Sequence, residues 1–184
     1  MAELASARYP KLPSLLGRMR GTDSEKIFTR EVIPYLSEIW LGEYGRSARE
    51  SEIVQVTLDD GFSYLFDIAA GRLIAAWGIS RGKHTGARPS SRMAGHPLSA
   101  GPLYHRGHAI PHTLGGGTDI NLVAQLGSVN IGPFRPLEKK AVATPGALYY
   151  TYWIYGNSRR QTPSAVEQGL LVPGERPVAV VHTN

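Results

Sequence analysis

The chain has 184 residues, no cysteine, and 20 Lys and Arg against 15 Asp and Glu, a formal charge of +5. Its 42% hydrophobic content supplies a core, the length suits one domain over 1–184, and the missing thiols exclude disulfides, cysteinate zinc sites and cysteine nucleophiles. No run reaches the ~18 apolar residues that a bilayer span needs, and residues 1–20 lack the order of a secretory leader. The expectation is a soluble protein with no membrane partner, cytoplasmic or exported by a route that needs no signal peptide.

Residues 1–20, with Pro10, Pro13 and Gly17, show no sustained period and are read as a loosely packed arm. A helix is expected over 22–42: Thr22 and Glu25 have capping-box spacing, and Ile27, Phe28, Val32, Tyr35, Leu36, Ile39 and Trp40 recur at three- and four-residue steps. Pro34 should kink or split it. Arm and helix together make an N-terminal helical segment over 1–42, followed over 52–184 by the sheet and the chemistry. Strand-like runs at 53–58, 62–68 and 72–77 are separated by Asp59-Asp60-Gly61 and Ala69-Ala70-Gly71, the pattern of an antiparallel meander. Residues 80–101, rich in Gly, Ser, Pro and Arg, read as a mobile loop or a binding surface. Further on, 136–144 reads as helix, 147–155 as an aromatic strand and 178–182 as a last strand. The class is α+β with an antiparallel sheet.

The distribution of charge says more than its sum. No acidic residue lies between Asp67 and Asp119, whereas Arg72, Arg81, Lys83, Arg88, Arg92 and Arg106 do, with His84, His96, His105, His108 and His112, five of the six histidines. That window suits a polyanion. It leads into His105-Arg106-Gly107-His108, Pro111-His112, the glycines 115–117, Asn121 with Gln125, Asn130, and Glu138 eight residues further. Hydrolysing a phosphodiester needs a base for water, positive charge for the phosphate, and help for the leaving 3′ oxygen. An imidazole, a guanidinium, and an amide with a carboxylate able to hold a hard cation answer these needs in turn. Taken singly the groups are ordinary: His84, His96 and His112 read as structural, Asn121 as a turn residue, Glu138 beside Lys139 and Lys140 as a solvated helix face. Tyr149, Tyr150, Tyr152, Trp153 and Tyr155 read as core and sheet surface.

Together, Arg106-Gly107-His108, Asn121 to Gln125, Asn130 and Glu138 resemble the DNA/RNA non-specific endonucleases of the His-Me finger (ββα-metal) superfamily, whose signature runs Asp-Arg-Gly-His, Asn-x-x-x-Gln, Asn, and Glu eight residues on. The resemblance implies a ββα-metal core with His108 as general base, Arg106 on the phosphate and Asn121 bracing the site. It implies Asn130 as the direct ligand of one Mg²⁺, Glu138 orienting the ion's waters from a helix that Asn130 begins, and the glycine run as a tight turn. His105 stands where the family has Asp. If it reaches the ion, Mn²⁺ or another divalent transition metal replaces Mg²⁺; Asp119 is an alternative source of the missing carboxylate. Arg81, Lys83, Arg88, Arg92 and Arg135 are expected along the backbone of DNA, with RNA left open. The stretch from Tyr155-Gly156-Asn157-Ser158 to Pro163, with Asn184, is similar to the bacterial toxin-type branch, which implies an immunity or inhibitor protein. The function so implied is metal-dependent, sequence-tolerant endonuclease activity in a toxin, effector or defence role. The alternative is a binding module that lost its chemistry through His105.

Overall fold

The computed structural model describes residues 7–19, 23–48, 50–87, 94–97 and 100–184. Thr22, Arg88 and Arg92 lie outside them. The meander forms as the runs and turn signals suggest: β1 (Ile53–Thr57), β2 (Ser63–Asp67) and β3 (Arg72–Ile79) pair antiparallel, with an irregularity in register at Leu65/Phe66. The chain then leaves to build a two-stranded ribbon of β4 (Tyr104–His108) and β5 (Leu122–Leu126), and returns for β6 (Leu148–Ile154), β7 (Ala165–Leu171) and β8 (Val178–Thr183). Since β6 pairs with β3, the large sheet has six strands in the order β1-β2-β3-β6-β7-β8, antiparallel throughout.

Strand alternation sends the side chains of β6 to opposite faces of the sheet. Tyr150 and Tyr152 meet the N-terminal helices, where Trp40 lies stacked on Tyr152 at 5.8 Å between ring centroids and tilted against Trp77 at 6.0 Å. Tyr149 and Trp153 face the ribbon side, where Phe134 packs on Trp153 at 6.4 Å. All five aromatics of 149–155 are buried, as expected of them. The helices therefore cover one face, and the ribbon with its following helices covers the other.

Residues 7–19 depart from expectation. Tyr9, Leu12, Leu15, Leu16 and Met19 are buried, and Leu12–Gly17 forms helix α1. Their three- and four-residue steps are an apolar stripe too short to stand out beside two prolines, and Pro13 sits in the first turn of α1, where its missing N–H costs nothing. The long helix forms as α2 (Ser24–Ile27) and α3 (Ile33–Ser47), joined by a π turn at Phe28–Val32. Pro34 removes a donor and crowds the preceding turn, and widening by one residue, with the Ile33 N–H donating to the Phe28 carbonyl, absorbs both effects. The cap residue of α2, Asp23, makes no side-chain capping bond. No described helix is long and apolar enough to cross a membrane.

Asp67 ties α3 to the meander. Its carboxylate accepts from the Tyr44 hydroxyl at 2.6 Å and from the backbone N–H groups of Glu52 at 3.1 Å and Ala70 at 3.2 Å. Burial alone raises its pKa, but these hydrogen bonds to the charged form outweigh burial and hold it below the usual carboxylate value. A depressed folded-state pKa contributes stability above the ordinary carboxylate range that is lost as pH falls through the depressed value. Resistance to urea should therefore fall on the acid limb, and Asp67→Asn should flatten that limb while lowering stability near neutrality by about 1–3 kcal/mol. An unchanged pH slope in the variant would remove Asp67 as its source.

Candidate active site

In the ribbon, His105 pairs with Gln125, Arg106 with Ala124, Gly107 with Val123 and His108 with Leu122. Gly107 is required by close approach, because a Cβ there would lie 2.3 Å from the Gln125 side-chain oxygen. Arg-Gly-His and Asn-x-x-x-Gln are thus two strands that interlock. Beyond His108 the chain loops back, and Asn121, fully buried, closes the loop: its Oδ1 accepts from the Ile110 N–H at 2.7 Å, and its Nδ2 donates to the carbonyls of Ile110 and Gly117, each at 2.8 Å. Gly116 packs into the same turn, where a Cβ would meet the Ile110 carbonyl oxygen at 2.0 Å. The end of β4, and His108 with it, is fixed by this clamp. From the far side Asn184 anchors β5, accepting from Leu126 N–H at 2.7 Å and donating to the Ala124 carbonyl at 3.0 Å and the Pro163 carbonyl at 2.9 Å.

The helix expected to run from Asn130 to Glu138 is two helices. Asn130 belongs to α4 (Gly127–Ile131), and Glu138 to α5 (Arg135–Ala143). Pro133 disfavours the helical conformation for the residue before it, and Gly132 leaves that region accordingly, with φ −107° and ψ −109°. Phe134, buried, restarts the chain; its carbonyl accepts from Gln168 Nε2 of β7 at 2.9 Å, which holds the start of α5 to the sheet. Pro136 falls in the first turn of α5, where its missing N–H costs no hydrogen bond.

Although the helix breaks, both side chains line one cleft. A cleft of about 1000 Å³ is lined by His105, Arg106, His108, Asn130 and Glu138. Lys83 and Arg135 also line it, while Asn121 lies behind the wall as a brace. Arg81 is exposed and is not among the lining residues; Arg88 and Arg92 lie outside the described residues. His108 is 7% exposed, enough to open to the cleft while most of the ring is fixed. Its ring meets His112 edge to face at 6.4 Å, and His112 meets His84 at 5.6 Å, the latter held by a bond from its own N–H to the Thr113 carbonyl at 2.8 Å. His112 and His96 line the cleft too. Read singly these histidines pass for structural residues; the available signal was their crowding into one acid-free window.

His105 Nδ1 lies 3.3 Å from the side-chain nitrogen of Asn130, and its ring rests on Gly127. In the tautomer that accepts there, the Asn130 amide donates through nitrogen and keeps its oxygen for another partner. Burial first, then the charge of Glu138, raises the Tyr149 hydroxyl well above its ordinary pKa, so the carboxylate acts on the sheet beneath the cleft. Asp119 does not line this cleft; it stands at a separate hollow on the other side of Arg106.

Together these elements define an α+β protein whose antiparallel sheet carries a ribbon and helices around a cleft that gathers histidine, arginine, asparagine and glutamate side chains. No protein-family model matches the chain, and no curated protein matches it. Among solved structures it is similar to NucA from Streptococcus agalactiae: against the structure with no metal bound, identity is 15% over 80% of this chain and 89% of that chain, with a TM-score of 0.50. The structure of the same protein with magnesium ion bound aligns at 15% identity over 78% and 88%, with a TM-score of 0.49. The likeness is one of fold.

Proposed function

We propose that the chain is a divalent-metal-dependent endonuclease of the His-Me finger type, hydrolysing phosphodiester bonds in DNA, with RNA as the second substrate to test. The observation that carries this reading is the convergence of His105, Arg106, His108, Asn130 and Glu138, from two strands and two helices, on one cleft. His108 takes a proton from the attacking water, in the position that the Asn121 clamp fixes. Arg106 engages the phosphate oxygens and neutralises charge as it develops. Lys83 and Arg135 extend the positive lining along the backbone, so affinity falls with salt and bases are read little.

The donor set fits a hard, hydrated cation. Among the described residues no three His, Asp or Glu stand close enough to hold a metal directly, whereas Mg²⁺ keeps most of its waters and accepts one or two oxygen ligands. Asn130 would hold it through its amide oxygen and Glu138 through water, while His105 orients Asn130. A bound cation supplies positive charge to the phosphate and to the departing 3′ oxygen. This arrangement favours Mg²⁺, or Mn²⁺ as a near substitute, over an ion ligated by His105.

The test is incubation of supercoiled plasmid and of RNA with the purified protein, with EDTA or with a series of Mg²⁺ concentrations, beside Asn130→Ala. Nicking should require the ion, yield 5′-phosphate ends, and in the variant saturate at ~10-fold or more higher Mg²⁺. DNA binding by gel shift with no cleavage under Mg²⁺, Mn²⁺, Zn²⁺ or Ni²⁺ would replace this reading by that of a binding module. The likeness of 155–163 and Asn184 to the toxin-type branch supports a toxin, effector or defence setting with an inhibitor protein as partner, read out by host toxicity on expression.

A further inference from the structure

Arg106 has two sides. One borders the cleft; the other borders a hollow of about 300 Å³ with Phe66, Leu73 and Tyr155 among its walls and with Asp119 and Gln161 also lining it. Asp119 is the only described non-glycine residue with positive φ, at +65°. Such a conformation persists where its surroundings over-determine it, and here they do: Asp119 opens the 3₁₀ turn Asp119–Asn121, whose last residue is the buried clamp of the loop. The clamp thus also presents an exposed carboxylate at the hollow.

A carboxylate repels phosphate, so the hollow is no extension of the phosphate track. An occupant that fits has an apolar face for Phe66, Leu73 and Tyr155, donors for Asp119 and polar groups for the Gln161 amide, which both donates and accepts, and it lies beside a phosphate held by Arg106. A nucleobase meets these conditions. Guanine meets them best, since N1–H and the N2 amino group together face a carboxylate while O6 and N7 accept. We propose that this hollow holds the guanine of the nucleotide beside the scissile phosphate, giving an otherwise tolerant nuclease a local base preference. The proposal rests on the nuclease reading above.

The test sequences the ends cut from a random DNA library by the wild type, Asp119→Asn and Gln161→Ala, beside titrations of the wild type and Asp119→Asn with GMP and TMP. Asparagine tolerates positive φ, so the first variant keeps the turn. Guanine should be enriched roughly 10-fold at one fixed position next to the cut. The enrichment should be largely lost in both variants, with total cleavage within about threefold of wild type. A flat wild-type profile, or enrichment that survives Asp119→Asn, overturns the subsite and leaves the nuclease reading standing. Absence of cleavage overturns the nuclease reading, and the titrations then decide: GMP bound in preference to TMP, with the preference lost in Asp119→Asn, upholds a guanine site, and equal or absent binding overturns it.

Discussion

Replacing His108 with alanine should lower the rate of plasmid nicking by ~10²–10⁴-fold, the contribution of a positioned general base, while DNA affinity stays within a few-fold. The separation follows from what the side chain touches. Only 7% of His108 is exposed and its ring leans on His112, so it offers little contact area to a long polyanion, whose affinity comes from Arg and Lys groups along the backbone. The measurement pairs initial nicking rates with gel shifts and with thermal melting, because a purely structural histidine would lower the melting temperature and leave the rate per folded molecule intact. A variant that is fully folded and cuts within tenfold of wild type would end the assignment. Partial recovery of the rate by added imidazole would tie the loss to proton transfer rather than to a shifted strand.

The second large effect concerns stability. Glu167 of β7, 1% exposed, accepts from the hydroxyls of Tyr9 at 2.5 Å and Tyr150 at 2.8 Å and pairs with Arg8 Nε at 2.9 Å; the Tyr9 hydroxyl in turn accepts from the Trp40 indole at 3.0 Å. Glu167→Ala should destabilise the fold by about 2–4 kcal/mol, because it leaves the buried Tyr9 and Tyr150 hydroxyls without their acceptor and takes from Arg8 one of its two carboxylate partners, Glu43 remaining. Tyr9→Phe, which removes one hydroxyl, should cost about 1–2 kcal/mol, and the two changes together should cost less than their sum. Urea midpoints read all three. A loss below about 1 kcal/mol for Glu167→Ala would mean that the first segment packs on the sheet through apolar contact alone. The pH dependence runs opposite to that of Asp67. Burial outweighs Arg8 and the two hydroxyls and raises the Glu167 pKa, so its contribution to stability is greatest at low pH and declines as pH rises from the ordinary carboxylate value through the raised one.

The same two residues explain why part of the fold was hidden in the sequence. The meander was legible because its runs are rich in strand-forming residues and each turn between them is local. β7 was not: Glu167-Gln168-Gly169 interrupts its apolar run, and the groups that make burial tolerable, Tyr9 at a separation of 158 residues and the Phe134 carbonyl at 34, cannot be seen from the segment itself. The arm was misjudged for a related reason, since Tyr9 is drawn into the core by that distant carboxylate. At the candidate site, residue types and spacings were enough to gather Arg106, His108, Asn130 and Glu138, because the ribbon that joins the first two is built from adjacent sequence. The helix break was missed because a single helix running from Asn130 to Glu138 was expected, whereas Pro133 ends the first of two. His112 was read as structural yet lines the cleft, and Asp119 was read as a source of the missing carboxylate yet lies off it, because the place of each depends on what the loop folds against.

The whole candidate site is one excursion between β3 and β6, and its ends are stitched where it leaves the sheet: Ser80 N–H donates to the Ala147 carbonyl and Gly146 N–H to the Ser80 carbonyl, both at 2.8 Å. The entropy of closing so long a loop is offset by strand pairing that would form without it, and that entropy grows only slowly with length. Insertions in loops between these two stitches therefore leave the register of the scaffold unchanged, provided that the side chains covering the sheet, such as Phe134 on Trp153, stay in place. Descendants of one sheet can vary this excursion, and with it the substrate, without relearning how to fold.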